Sequence, residues 1–396
     1  MNFKVDWPSR GICFVEEDIQ LIRDVLMDSS SSLTQGLRVF EFERNFSAYI
    51  GSNNSLALMS AAHALDISAM LMEIKPGDEV IVPAHTYCAS ALAFARLGAK
   101  IIWADIDYNS WTVSLDSISG LITEKTKCIV VVHLYGLIAK DIKEIASLCS
   151  SKRIFLLEDC AQALGARLDG IHAGMFGDFA CYSFHAQKNI TTLGEGGMLA
   201  IRNEKMARTA MSLRINGHRP FDKDGDSRYW LPAMIDVADV QPGFWPIKST
   251  MNEVQAAVGS RLVSKSDAFT IERRKLAMRL RMELESVSEF AFQEVYSEQA
   301  HSHHLFPVRV TSNLWNRDDL IDLLSEDYGV KAIVQFHPLN RYDLFKKNGM
   351  GEADVPNTDL FFDNMMSLPF SLTIPEENVK YMIQSVKEAV TRLNCL

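Results

Sequence analysis

The chain has no apolar run long enough to cross a bilayer, which needs about 20 residues. Its longest, Cys128 to Ala139, is interrupted by His133 and reads as a strand and a turn. No membrane association is expected. The opening Met1-Asn2-Phe3-Lys4-Val5-Asp6-Trp7-Pro8 lacks the charged start and apolar core of a signal peptide. A basic surplus is missing too: the formal net charge is −10, so a nucleic-acid partner is not expected. No Cys-x-x-Cys pair occurs among seven scattered cysteines. Their odd number and spacing argue against a disulfide frame or a zinc site and favour reduced thiols in the cytoplasm; no metal is expected. Internal repeats and low-complexity tracts are also absent. What remains is 396 residues, 47% hydrophobic and 23% charged, an ordinary globular composition with room for two domains.

Residues 16–50 read as helical, broken by a serine-rich turn at 29–32. Ser55 to Leu58, Glu79 to Pro83, Lys100 to Ala104, Cys128 to His133 and Ile154 to Leu157 are short apolar or β-branched runs. Helical stretches separate them, near 61–72, 88–97, 115–123 and 140–150. Strands that alternate with helices and are apolar on both faces predict an α/β fold with a mostly parallel, doubly covered sheet. A helix over 205–215 precedes a long loop at 218–245, and loops of that length are usually functional. Residues 251–285 read as one long helical pattern. Strands near 304–310 and 331–335 and helices near 316–327 and 375–393 suggest a smaller α+β unit. The expected division is a large domain at 1–250 and a small one at 251–396.

One stretch organises the rest. A strand, Phe179 to Phe184, leads into a polar loop with a single lysine, Lys188; glycines 194, 196 and 197 then turn the chain into a second apolar run, Met198 to Ile201. A lysine held between buried strands is desolvated, which lowers its pKa and makes the amine a nucleophile. A loop lysine pointing into water is the plain alternative. Upstream by 29 residues lies Asp159, where the strand Ile154 to Leu157 gives way to Glu158-Asp159-Cys160-Ala161-Gln162. Ligands of open α/β sheets bind beyond the carboxyl ends of strands, so Asp159 is either a ligand-facing acid or the cap of a following helix.

Ser183-Phe184-His185, Lys188 and Gly194-Glu195-Gly196-Gly197 resemble the lysine motif of the DegT/DnrJ/EryC1/StrS sugar aminotransferases, which use pyridoxal 5′-phosphate (PLP), and further matches run in order along nearly the whole chain. The resemblance implies the PLP-dependent fold type I, the aspartate aminotransferase-like arrangement. It implies that Lys188 carries PLP as a Schiff base and moves the proton during amino transfer. It gives Asp159 the pyridinium nitrogen and Gln162 the ring hydroxyl. Ser60-Ala61-Ala62, before a helix, stands where the family has Ser-Gly-Thr and would bind the cofactor phosphate through backbone N–H groups. One hydroxyl of that pattern is missing here. Ser183 resembles a further phosphate ligand, and Tyr87 the aromatic that stacks on the pyridine face. His185 is a candidate substrate contact, and His133-Leu134-Tyr135-Gly136 a pocket wall.

A second departure lies before the long helical stretch. The family's asparagine and arginine positions read Lys248 and Thr250 here. By register, Lys248 would reach the cofactor phosphate of a neighbouring subunit, making a homodimer with shared sites. The expected activity is transfer of an amino group from L-glutamate to a keto- or aldehyde-sugar. The acceptor is either nucleotide-linked, in amino-sugar biosynthesis, or the 8-keto form of Kdo on the route to 8-amino-Kdo of lipopolysaccharide. His218, Arg219, Lys223 and Arg228 beside the altered loop favour an acidic acceptor, with Arg219 a substrate candidate; a solvated charged loop is the alternative. Two rival functions stay in view. A PLP-dependent sugar dehydratase would have histidine in place of Lys188. A non-catalytic regulator on the same fold would not need the Lys188–Asp159 pair.

Overall fold

The computed structural model describes residues 3–218 and 237–395. Its centre is a seven-stranded sheet in the order β1-β9-β8-β5-β4-β2-β3. The strands are β1 (Ser55–Leu58), β2 (Glu79–Pro83), β3 (Lys100–Ala104), β4 (Thr126–Val132), β5 (Phe155–Asp159), β8 (Phe179–Ser183) and β9 (Gly197–Ile201). A two-residue hairpin, β6 (Arg167–Leu168) and β7 (Ile171–His172), lies between β5 and β8. Ladders from β8 through β5, β4, β2 and β3 are parallel; β9 runs antiparallel to both β8 and β1. The carboxyl ends of β1, β2, β4, β5 and β8 therefore gather on one edge of the sheet. The segments that leave them begin at Met59, Ala84, His133, Cys160 and Phe184.

Both faces of the sheet are buried, as the unbroken apolar strands require. Alternation along a strand sends neighbours to opposite sides: Ile129 and Val131 join one core, Val130 and Val132 the other. The first face is covered by α2 (Leu37–Ile50), α6 (Ile142–Lys152) and α8 (Glu253–Val263), with α1 (Glu16–Met27) outside α8 and the short α5 (Leu115–Ser119) beside α6. The second carries α3 (Ala61–Leu71), α4 (Ala89–Ala95) and α7 (Glu204–Leu213). A third core joins an antiparallel sheet of β10 (Phe290–Phe292), β11 (Phe306–Val310) and β12 (Met365–Leu368) to α9 (Ser266–Leu284), α10 (Arg317–Glu326) and α13 (Glu376–Leu393). The short helices α11 (Asp343–Lys347) and α12 (Pro356–Asn364) connect it to the second core through Phe345 and Phe361. Val5, from the amino-terminal segment, is buried in this third core and bridges to Val330.

Two expectations about the elements are corrected. The pattern over 251–285 is two helices. The chain breaks at Ser264–Lys265, where the Ser264 hydroxyl bonds back to Arg261 O at 2.7 Å. Residues 331–335 do not form a strand; only Ile333 bridges to Ser367, because the chain then leaves the sheet to carry Gln335 and Phe336 to the cavity described next. All seven cysteines are free thiols. Among the described residues no helix is long and apolar enough to cross a membrane.

Candidate active site

At the edge where the strand ends gather is a cavity of about 680 Å³. Lys188, Asp159, Gln162, Ser183, His185, Tyr87 and Ser60–Ala62 all line it. Residues far apart in sequence are thus brought together by the parallel topology. Lys248 is not among the lining residues. It is exposed, while its neighbour Ser249 is buried and accepts a hydrogen bond from the Met59 N–H at 3.3 Å. Arg219, Lys223 and Arg228 lie outside the described residues, and His218 does not line the cavity.

Asp159 ends β5 and is buried. No helix follows it, so the helix-cap reading does not apply. Its Oδ1 accepts from Ala161 N–H at 3.0 Å in a tight turn, and its Oδ2 accepts from the Ser90 hydroxyl at 2.7 Å. Neighbouring Glu158 points to the opposite face, as strand alternation requires. There it accepts N–H groups from Gly174, Phe176 and Gly177 at 2.6–2.7 Å. His133 Nδ1 accepts from Ala139 N–H, so its Nε2 carries the hydrogen and donates to Glu158 at 2.8 Å. This buried lock fixes the end of β5 and thereby the aim of Asp159. His133, Glu158 and Cys160 approach the spacing of a metal-binding trio, but both imidazole nitrogens and both carboxylate oxygens are already engaged.

Lys188 sits in a loop whose shape is set by backbone. Phe184 N–H donates to Gly196 O and Ala186 N–H to Gly194 O, and Thr191 and Thr192 fold back on Phe184 O. Gln255 of α8 ties the far side, donating to Glu195 O at 2.8 Å. Burial pushes the Lys188 amine down to about 8, against the opposing pull of the Asp159 carboxylate. Nearby, His304 is held well below the ordinary histidine range, first by burial and then by Lys188, Arg273 and His185. It therefore stays neutral beside the lysine.

Ser60 is the N-cap of α3, its hydroxyl accepting from His63 N–H at 3.2 Å. The N–H groups of Ala61 and Ala62, in the first turn, have no intrahelical acceptor, and both residues line the cavity. Gly197 makes this placement possible: a Cβ there would stand 2.3 Å from the Ser60 carbonyl carbon. Gln162 has its Oε1 fixed by Tyr135 N–H at 2.6 Å, which leaves its amide NH₂ for a ligand. Tyr87 is 58% exposed and meets Phe336 edge-on at the cavity wall. His185 is partly exposed, 3.9 Å from Glu195.

The donor set fits PLP on the chain's own terms. A buried carboxylate suits a cationic ring nitrogen, a helix start and a serine suit a phosphate, an aromatic face is open, and an amine with a suppressed charge lines the same cavity. Several residues in or directly behind the cavity wall escaped the sequence reading. Ser90 left a signal, a lone hydroxyl in the apolar Ala89-Ser90-Ala91-Leu92-Ala93 helix. His304 belongs to the visible cluster His301-Ser302-His303-His304. Trp7 and Arg10, which also line the cavity, left none, because their segment is neither helix nor strand.

Residues 13–387 match the DegT/DnrJ/EryC1/StrS aminotransferase family. An uncharacterized protein of Methanocaldococcus jannaschii, MJ1066, is 30% identical over 96% of this chain and 96% of its own. The GDP-perosamine synthase of Caulobacter vibrioides is 30% identical over 79% of this chain and 80% of its own. Among solved structures, a putative sugar aminotransferase of Streptococcus pneumoniae, Spr1654, in its PLP form superposes with a TM-score of 0.86 at 27% identity, over 99% of this chain and 100% of that one. The architecture is thus the aminotransferase fold.

Proposed function

The chain belongs to the DegT/DnrJ/EryC1/StrS aminotransferase family and is a PLP-dependent transaminase; from that premise we propose that it moves an amino group from L-glutamate to the carbonyl of a nucleotide-linked ketosugar. The observation that carries the reading is the meeting of Lys188, its amine brought to about 8, with Asp159 and the open start of α3 in one cavity. The similarity to a GDP-perosamine synthase supports the nucleotide-linked acceptor.

Each residue then has a task. Asp159, oriented by Ser90 and Ala161, holds the ring nitrogen in its protonated form. The amide NH₂ of Gln162 donates beside the ring hydroxyl. Ala61 and Ala62 N–H groups and the hydroxyls of Ser60 and Ser183 hold the phosphate, and Tyr87 offers the flat contact. PLP, when bound, supplies the electron sink. Lys188, uncharged for a large fraction of the time near pH 8, takes the proton from the donor's amine-bearing carbon and returns one at the end of the half-reaction. His304, neutral, adds no competing positive charge. Lys248 is exposed and outside its own chain's cavity, which suits a contact to the phosphate in a second copy, and the proposed working unit is a homodimer. A dehydratase would have histidine where Lys188 stands, and an inert regulator would have no use for an amine of lowered pKa opposite a buried carboxylate.

The deciding test offers pure protein L-glutamate and a panel of ketosugars, nucleotide-linked and free acidic, and follows 2-oxoglutarate. Nucleotide-linked acceptors should consume glutamate, and Lys188→Ala should abolish the turnover. Turnover only with a free acidic sugar such as 8-keto-Kdo would replace the proposed acceptor, and borohydride tagging of a lysine other than Lys188 would overturn the site.

A further inference from the structure

The amino-terminal segment is pinned across the cavity by its backbone while one of its side chains is left without a partner. Val5 bridges to Val330, and Lys331 N–H donates to Val5 O at 3.0 Å. Gln187, one residue before the lysine, donates to Pro8 O at 3.0 Å. The Ser371 hydroxyl donates to Arg10 O at 3.0 Å, and the buried Arg273 donates to Gly11 O at 3.0 Å. Gly11 N–H donates to Ala186 O at 2.9 Å. Gly11 also lies directly on the lysine loop: a Cβ there would stand 1.9 Å from Lys188 O. The segment is therefore fixed to the third core near Val5 and near Arg10–Gly11, and to the lysine loop through Ala186 and Gln187.

Arg10, next to that contact, lines the cavity and is exposed. Among the described residues it is the only guanidinium on the cavity wall, and its side chain has no ion pair or hydrogen bond there. The acids of the wall are otherwise occupied: Asp159 by Ser90 and Ala161, and Glu195 facing His185. An amino donor brings a carboxylate on the same carbon as the reacting amine. That carboxylate must lie close to Lys188 whenever the amine does, and it needs a fixed cation that does not titrate. Lys188 cannot serve, because it works uncharged. The guanidinium anchored beside the lysine's carbonyl can, with two parallel N–H groups for two oxygens.

We propose that Arg10 binds the α-carboxylate of the amino donor and so selects α-amino acids over simple amines. The inference rests on the transaminase reading above. The test compares the PLP-loaded wild type with Arg10→Gln and Arg10→Lys. Two ligands are used: 2-methylglutamate, which keeps the α-carboxylate but has no α-hydrogen to lose, and 4-aminobutyrate, which lacks that carboxylate. Binding is read by calorimetry and by the cofactor's absorbance. In Arg10→Gln, affinity for 2-methylglutamate should fall about tenfold or more, the size expected for a lost charge-assisted pair. Affinity for 4-aminobutyrate should stay as in wild type, and Arg10→Lys should recover part of the loss. Borohydride tagging of Lys188 should be unchanged in all three. Equal weakening toward both ligands, or no weakening toward 2-methylglutamate, overturns the proposal. A wild type that discriminates in this way but aminates no ketosugar would leave Arg10 assigned and remove the acceptor reading instead.

Discussion

At the scale of single residues, Lys188 and Asp159 each lead to a measurement. Lys188 has its amine pushed down to about 8 by burial, from about 10.4 in an unfolded chain. Between those values the unfolded chain binds the proton and the folded one does not, so stability rises with pH across that window. Below about 8 the buried charge costs its full amount. Cofactor-free Lys188→Met should therefore melt higher than the cofactor-free wild type at pH 7, and the gap should close as pH approaches 10. A gap that is flat with pH would contradict the suppressed charge. Asp159 is buried and oriented by the Ser90 hydroxyl and the Ala161 N–H. Asp159→Asn keeps the shape and removes the charge. We expect PLP to stay bound and amino transfer to slow on the order of a hundredfold, a few kcal/mol of transition-state stabilisation. Stopped-flow absorbance with L-glutamate measures it, and near wild-type rates would reduce Asp159 to a turn-former.

At the scale of elements, the residues legible in the sequence were those with a periodic neighbour. The strand ends that carry Asp159 and Ser183 lie at the close of apolar runs, and the helix after Ser60 announces itself by composition. Elements set by long-range pairing were not legible. The strands Phe290–Phe292 and Met365–Leu368 are three and four residues long and exist because β11 lies between them. Residues 331–335 have the β-branched pattern of a strand but are drawn off to wall the cavity. The break at Ser264–Lys265 hides because apolar periodicity continues on both sides. Arg273 shows how such elements are tied. It leaves α9 with 1% exposure and, among the described residues, no acid partner, donating to His303 O and Gly11 O at 3.1 and 3.0 Å, and it packs over the Phe370 ring. Burial lowers its guanidinium to about 10. Arg273→Met would fill similar volume but leave buried carbonyls unpaired, each costing about 1–3 kcal/mol. We expect a clear loss of thermal stability. The donor KM should also rise, because the segment holding Arg10 loses its anchor. A stability loss with an unchanged KM would confine Arg273 to packing.

At the scale of the whole molecule, one chain leaves apolar surface that needs a cover. Met27, Leu33, Leu37 and Phe40, around the α1–α2 corner, are 50–77% exposed, and Trp245 is 87% exposed. Leu33 shares a shallow depression with Leu193, from the loop that carries Lys188, and with Asn252 and Val254. Thr34 bridges to Asn252, so this corner and the Lys248 segment meet in space. Apolar surface concentrated beside a site is typical of an interface, and in the homodimer proposed above the partner's Lys248 is the residue that reaches that site. The arrangement makes a specific forecast for mixed subunits. Lys188→Ala homodimers lack the reacting amine, and Lys248→Ala homodimers lack the charge proposed to reach across. In a mixed dimer, the subunit that keeps Lys188 faces a partner that keeps Lys248, so one of its two sites is intact. Refolding the two inactive variants together should therefore restore activity, to about a quarter of the wild-type rate if subunits pair at random and both sites work independently. Sedimentation would confirm the dimer. Activity of the mixture no greater than the average of the two variants would place Lys248 in its own chain's surface and remove it from the site.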